Sequence, residues 1–178
     1  KQFYHCFGCS ASGDVIKFLR EHDGLTFMEA IEKLAYMANV EIPKGSDNKN
    51  DDSKVLLDTN KLVNEQYVKN LENDTNAKIY LSKRNINEDM IQNFNLGLSK
   101  DSWDNITELL VKKNKMKEGI DLGLLVKNKD KIYDRFRNRI MFPIRNTSGN
   151  IIAFGGRALS KDDNAKYINS PESKLFYK

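Results

Sequence analysis

Five of the seven arginines in the chain, Arg135, Arg137, Arg139, Arg145 and Arg157, fall within 23 residues, although lysine supplies most of the positive charge everywhere else. Lysine is a solvated point charge, whereas the planar guanidinium fork grips phosphate or carboxylate with two parallel hydrogen bonds. Arginine concentrated in one place therefore points to recognition of an anion. A second constellation is Cys6-Phe-Gly-Cys9. Two thiolates two residues apart can turn toward one ion when the loop between them is tight, and Gly8 permits that knuckle. Tetrahedral zinc needs four ligands, so Cys6 and Cys9 are at most half a site. His5, next to Cys6 on an extended segment, would point the other way. A redox CxxC is the alternative, but such motifs open a helix inside a βαβ unit, and here an aromatic segment precedes and a Gly/Ser turn follows.

The arginines need a strand to act together. Side chains alternate across a strand with period two. The run from Tyr133 to Arg145 then puts Arg135, Arg137, Arg139 and Arg145 on one face and Phe136, Ile140, Phe142 and Ile144 on the other. Thr147-Ser-Gly-Asn150 has turn chemistry and Ile151 to Arg157 returns as a second strand, giving a hairpin with one packed and one basic face. An ordinary solvated face is the plain alternative. Gly155-Gly156 would let a phosphate or strand approach the backbone, or mark a bulge.

Charge follows the same division. Residues 131–178 carry a net charge of +6 and the preceding 130 a net of −2, so the overall +4 conceals a basic end on a near-neutral body. That asymmetry suits a polyanion, nucleic acid or a phosphorylated small molecule, better than a membrane surface, because no basic amphipathic helix carries it. No run approaches the roughly 18 apolar residues of a membrane span, and no signal peptide opens the chain. Two cysteines three apart are not the framework of a secreted disulfide scaffold, so the expectation is a globular cytoplasmic protein without a membrane role.

Asp14 is expected to start a helix ending at Asp23-Gly24, and Thr26 with Glu29 to make a capping box for a second, through Ala38. Lys44 to Lys54 lacks any apolar residue and reads as a flexible linker. Helices are predicted over Val55 to Leu71, around Ala77 to Leu81, from Glu88 to Phe94 behind Asn87, and through Leu109-Leu110-Val111 from Ser102 or Asp104. Trp103 would anchor or cover the first turn of that last helix. The acids Asp51-Asp52 and Asp162-Asp163 read as solvated loops. The fold class is α+β, with the end of a zinc ribbon plus helices, then a helical and antiparallel-sheet subdomain.

Four motifs, Tyr4-His-Cys-Phe-Gly-Cys9, Asp134-Arg-Phe-Arg-Asn-Arg-Ile-Met-Phe-Pro-Ile-Arg145, Phe154-Gly-Gly-Arg157 and Lys166-Tyr-Ile-Asn-Ser-Pro-Glu172, together resemble bacterial DNA primase, the enzyme that makes short RNA primers for replication. The resemblance implies residues 1–43 as the C-terminal part of a zinc-ribbon domain, 44–54 as linker, and 55–178 as the N-terminal subdomain of an RNA polymerase domain. In that family the ribbon uses Cys-x-x-His followed by Cys-x-x-Cys, of which Cys6 and Cys9 match the second pair. The acids of the family's Toprim subdomain, a Glu and an Asp-x-Asp, have no match here and would follow Lys178. The resemblance further implies that Arg84, Arg157, Lys166, Tyr167 and Lys178 contact template or incoming nucleotide. It implies single-stranded DNA, ribonucleoside triphosphates and a replicative helicase as partners of the parent protein. Zinc through an incomplete site, and magnesium or manganese in the parent enzyme, are the implied cofactors. The stretch alone would make no primer. A non-catalytic, zinc-containing single-stranded DNA-binding accessory module is the competing expectation.

Overall fold

The computed structural model describes residues 3–40, 50–160, 163 and 165–177. The chain opens with a two-strand antiparallel hairpin, β1 (Tyr4–His5) and β2 (Ser12–Gly13), closed by the cysteine knuckle. Helix α1 (Val15–His22) begins where the Asp14 carboxylate accepts the Lys17 N–H, and α2 (Phe27–Ala38) carries the expected capping box of Thr26 and Glu29. Asn39, in the left-handed region at φ 52°, ends α2. Of the stretch expected as a linker, 44–49 lies outside the described residues, and residues 50–54 form the first turn of α3 (Asn50–Glu72).

That helix, about 34 Å long at 1.5 Å per residue, is the spine of the rest. It is followed by α4 (Thr75–Ser82), capped by Asp74, α5 (Glu88–Asn93), capped by Asn87, and β3 (Gly97–Ser99). Then come α6 (Asn105–Lys112), α7 (Met116–Asp121), and an isolated hairpin of β4 (Leu125–Asn128) and β5 (Lys131–Asp134). Strands β6 (Arg139–Arg145), β7 (Ile151–Ala158) and β8 (Tyr167–Asn169) join β3 in an antiparallel sheet of order β3-β6-β7-β8.

The sheet is packed on both sides. One cluster joins Val63, Tyr67, Ile106, Leu110, Met141 and Phe154, and the other joins Leu71, Leu81, Leu98 and Ile140. Helix α3 contributes to both, and it lies so close to β3 that a Cβ on Gly97 would sit 2.4 Å from Cβ of Tyr67. Glycine is needed there for close approach.

The single arginine strand from Tyr133 to Arg145 is not observed. Strands β5 and β6 belong to different sheets, separated by a bend at residues 135–138. The bend is fixed by backbone hydrogen bonds from Asp134 to Trp103, from Arg135 to Leu124 and from Asn138 to Lys100, with Asn138 at φ 50°. Phe136 turns inward here and is 1% exposed. Burying that ring outweighs strand continuity. The second correction concerns β6 itself. Ile140 and Met141, on opposite faces, are both fully buried, so neither face is a basic surface along its length. The turn at residues 147–150 and the return strand are present as expected, with a register shift between Ile144 and Arg145.

Candidate nucleic-acid interface

At the N-terminus, the Cys6–Cys9 turn is closed by hydrogen bonds from Cys6 N–H to the Ala11 carbonyl and from Ser10 N–H to the Cys6 carbonyl. The backbone N–H groups of Cys9 and Gly8 lean on the Cys6 sulfur and hold its thiol below the ordinary value. Amide donors aimed at a sulfur favour the thiolate, which is the zinc-binding form. Both cysteines are exposed and unpaired. Among the described residues no third His, Cys, Asp or Glu gathers with them. The two thiols fit half of a structural zinc site, where the ion would cross-link the knuckle to two further ligands. His5 sits edge-on to Phe7 at 4.9 Å.

The second constellation lies on the sheet. Arg157 of β7 pairs directly with Tyr167 of β8. Its Nε donates to the Tyr80 hydroxyl at 2.9 Å and its Nη1 to the Tyr167 hydroxyl at 2.6 Å. The Tyr80 bond is the main reason the guanidinium holds its proton even more firmly than usual. Arg84, just past the end of α4, stacks its guanidinium 3.7 Å from the Tyr80 ring centre, and Lys166 Nζ lies 5.8 Å from the Tyr167 ring. The result is an alternating ladder of Arg84, Tyr80, Arg157, Tyr167 and Lys166. Tyr167 is 58% exposed, so one rung offers an aromatic surface beside the cations of Arg157 and Lys166.

A further platform stands in the bend. The Arg137 guanidinium lies 3.8 Å above the Trp103 ring and 5.7 Å from the Tyr133 ring, and the two rings meet edge to face at 5.3 Å. Trp103 is 61% exposed, so it does not anchor the core. Its indole is a surface stacking plate.

Both constellations occupy one end of the sheet. Asn138, next to Arg137, accepts the Leu159 N–H through its carbonyl, and the Lys166 carbonyl accepts the Ala158 N–H. Arg139 holds that end together. Its side chain is 6% exposed, its Nη1 donates to the Ala165 carbonyl at 2.8 Å, and its Nη2 pairs with Asp163 at 2.6 Å. Arg139 is thus a structural arginine fastening the loop that delivers Lys166 and Tyr167. Asp163 is its buried-side partner rather than a solvated loop acid. Gly156 makes room for it: a Cβ there would come within 2.9 Å of Phe136 and 3.0 Å of the Arg139 side chain. The glycine pair accordingly serves packing at Gly156.

The remaining arginines separate. Arg135 is half-buried behind the bend. Arg145 is exposed at the hairpin turn and donates to the Gly149 carbonyl at 2.8 Å, away from the ladder's end of β6. Lys178 lies outside the described residues. Sequence reading missed Tyr80 and Tyr133. Tyr80 was findable, since it lies in α4 four residues before Arg84, which follows the helix's last turn, and i, i+4 side chains share a face.

An arginine–aromatic ladder at one end of an α+β sheet, in a chain that opens with a cysteine knuckle, is chemistry suited to a polyanion. Residues 66–178 match the family described as "DNA primase catalytic core, N-terminal domain", and residues 1–50 match "CHC2 zinc finger". The chain therefore belongs to the bacterial DnaG primase family. It is 42% identical over 187 residues to the DNA primase of Halalkalibacterium halodurans, covering 100% of this chain and 31% of that protein. It is 40% identical to the Escherichia coli K12 DNA primase, covering 100% and 32%. The Aquifex aeolicus primase structure, with zinc-binding and RNA polymerase domains, superposes over 99% of this chain and 43% of its own at TM-score 0.66 and 28% identity. A DnaG catalytic domain bound to ssDNA matches over 70% and 41% at TM-score 0.66 and 37% identity. The chain spans about a third of the length of these curated relatives. Among the described residues no helix is long and apolar enough to cross a membrane.

Proposed function

We propose that this chain is the template-holding part of a primer-synthesising, DNA-directed RNA polymerase, with the tail of a zinc ribbon at its N-terminus. The ladder of Arg84, Tyr80, Arg157, Tyr167 and Lys166 carries this reading. Its cations neutralise phosphates of an unpaired strand or of an incoming ribonucleoside triphosphate, and Tyr167 stacks on a base without reading its identity. Arg137 on Trp103 extends the same track around the end of the sheet. One related structure holds ssDNA and another a double-stranded DNA oligomer with a 6-nucleotide overhang. In the whole protein, magnesium or manganese held by acidic residues would assist nucleotidyl transfer by neutralising triphosphate charge. The present chain is expected to hold template without making primer.

Titrating a dye-labelled oligonucleotide at several salt concentrations tests this reading. Binding is expected to be weak, tolerant of sequence and steeply salt-dependent. Arg157→Ala and Lys166→Ala should each reduce the log–log salt slope by about 0.7, the share of one single-strand phosphate. If both variants keep wild-type affinity and slope, the ladder does not hold the strand.

A further inference from the structure

Asp134 is buried, with 1% of its surface exposed, yet among the described residues no cation pairs with its carboxylate. Arg137, three residues on, turns away to stack on Trp103 and donates only to the Asp134 backbone carbonyl. The carboxylate is instead held by three neutral donors from the first turn of α6. Oδ2 accepts the Ile106 N–H at 2.7 Å, and Oδ1 accepts both the Thr107 N–H and the Thr107 hydroxyl at 2.8 Å. An acid from 27 residues downstream thus supplies the helix cap that Asp104, the residue at the cap position, does not make. Asp134 N–H also donates to the carbonyl of Trp103 at 2.8 Å.

We propose that Asp134 is a positioning residue for the DNA-stacking platform, locking the Trp103 indole under the Arg137 guanidinium from three sides at once. Its carboxylate fixes the start of α6, two residues after Trp103. Its N–H fixes the Trp103 backbone. Its carbonyl fixes the Arg137 side chain. The plate is thereby preorganised, and a base meets a ring whose rotamer and cation are already in place. A buried carboxylate with no ionic partner costs stability, and burial does push this carboxyl up against the pull of its three donors. Its retention is understandable if it orders a surface that must be rigid.

This inference rests on the template-holding reading, and the test separates the two. Trp103 is the single tryptophan, so its emission and its quenching by acrylamide report the plate in the free protein. Oligonucleotide affinity is read independently from a dye on the DNA. Asp134→Asn keeps the backbone but turns an amide N–H₂ toward one of the donors. It is expected to raise acrylamide quenching of Trp103 and to weaken binding about tenfold, the scale of one lost base stack. Thr107→Val, which removes only the hydroxyl donor, should shift both readouts in the same direction by less and serves if Asp134→Asn does not fold. Arg137→Ala should weaken binding and raise quenching by uncovering the ring, and adding Asp134→Asn to it should cost little further affinity, because both act through one plate. Wild-type quenching and affinity in both Asp134→Asn and Thr107→Val would overturn the proposal, as would losses that add fully to those of Arg137→Ala. If Arg137→Ala leaves affinity unchanged while Asp134→Asn alters quenching, the positioning stands and the DNA role of this plate falls.

Discussion

Arg139 and Arg157 are cross-strand near neighbours with the same side chain, and their surroundings give them opposite tasks. Arg139 is enclosed with Asp163 at 2.6 Å, whereas Arg157 lies between two tyrosine hydroxyls beside the exposed Tyr167 ring. Removing Arg139 strands a partly buried carboxylate and releases the Ala165 carbonyl, so Arg139→Ala should destabilise the fold by about 3 kcal/mol. Arg157→Ala loses hydroxyl bonds that water can replace and should cost about 1 kcal/mol or less. Chemical denaturation of the two variants checks this ordering, and equal losses would refute the division of roles. The sequence marked all five clustered arginines as one basic face. Alternation along a strand cannot show that Phe136 breaks the strand to reach the core, nor that the partner of Arg139 lies 24 residues ahead. Of the residues the resemblance implies, Arg84, Arg157, Lys166 and Tyr167 come together in space from three separate stretches of the sequence, and Lys178 lies outside the described residues.

At the scale of elements, local signals were legible and remote ones were not. Asp14, the Thr26–Glu29 box and Asn87 each cap the helix expected after them, because a cap and its helix are covalent neighbours, while Asp74 caps α4 without having been singled out in the sequence. Helix α6 takes its cap from Asp134, and nothing near Asp104 in the sequence announces that. Strand β3 has only three residues, and its identity comes from the sheet edge it fills and from Gly97 against Tyr67. Gly97→Ala is therefore expected to push α3 off the sheet, at a cost of about 3 kcal/mol because the obstruction is partly backbone. A loss under about 1 kcal/mol in urea titration would show that the contact yields. The α1–α2 corner makes a pH prediction. Asp23 meets Lys33 at 2.8 Å and His22 at 2.7 Å, and these hydrogen bonds hold its carboxyl below the ordinary value. A lowered folded value means the contribution is complete above the unfolded value, near 3.9, and is lost as pH falls through the folded one. Melting curves across that acid range should show the loss in wild type, and a flatter profile in Asp23→Asn.

The whole molecule is held together by a polar seam between its two units. The turn joining β6 and β7 presents Asn146, whose Nδ2 donates to the Gly24 carbonyl at 3.3 Å, and Asn150, whose Nδ2 donates to Glu29 Oε1 at 2.9 Å. The other oxygen of Glu29 accepts the Thr26 N–H in the capping box, so one carboxylate starts α2 and docks it. Gly24 packs toward Ile152, since a Cβ there would lie 3.2 Å from its side-chain methyl. Among the described residues, two side-chain hydrogen bonds and the Gly24–Ile152 approach across this seam are worth a few kcal/mol, far less than the continuous core around Tyr67 and Phe154. The cysteine-knuckle unit is therefore expected to lift from the helix-and-sheet unit without unfolding it. Asn150→Ala removes the bond to a charged oxygen while leaving the capping box intact, and should weaken docking by about 1.5 kcal/mol, roughly a tenfold rise in opening. Hydrogen exchange read by mass spectrometry should then show faster exchange for backbone amides near Gly24 and Leu25, with β6, β7 and α3 protected as in wild type. Faster exchange spread through the sheet would instead mean that the two units fold as one cooperative body, and unchanged exchange at residues 24 and 25 would mean that the Asn150–Glu29 bond does not hold the seam.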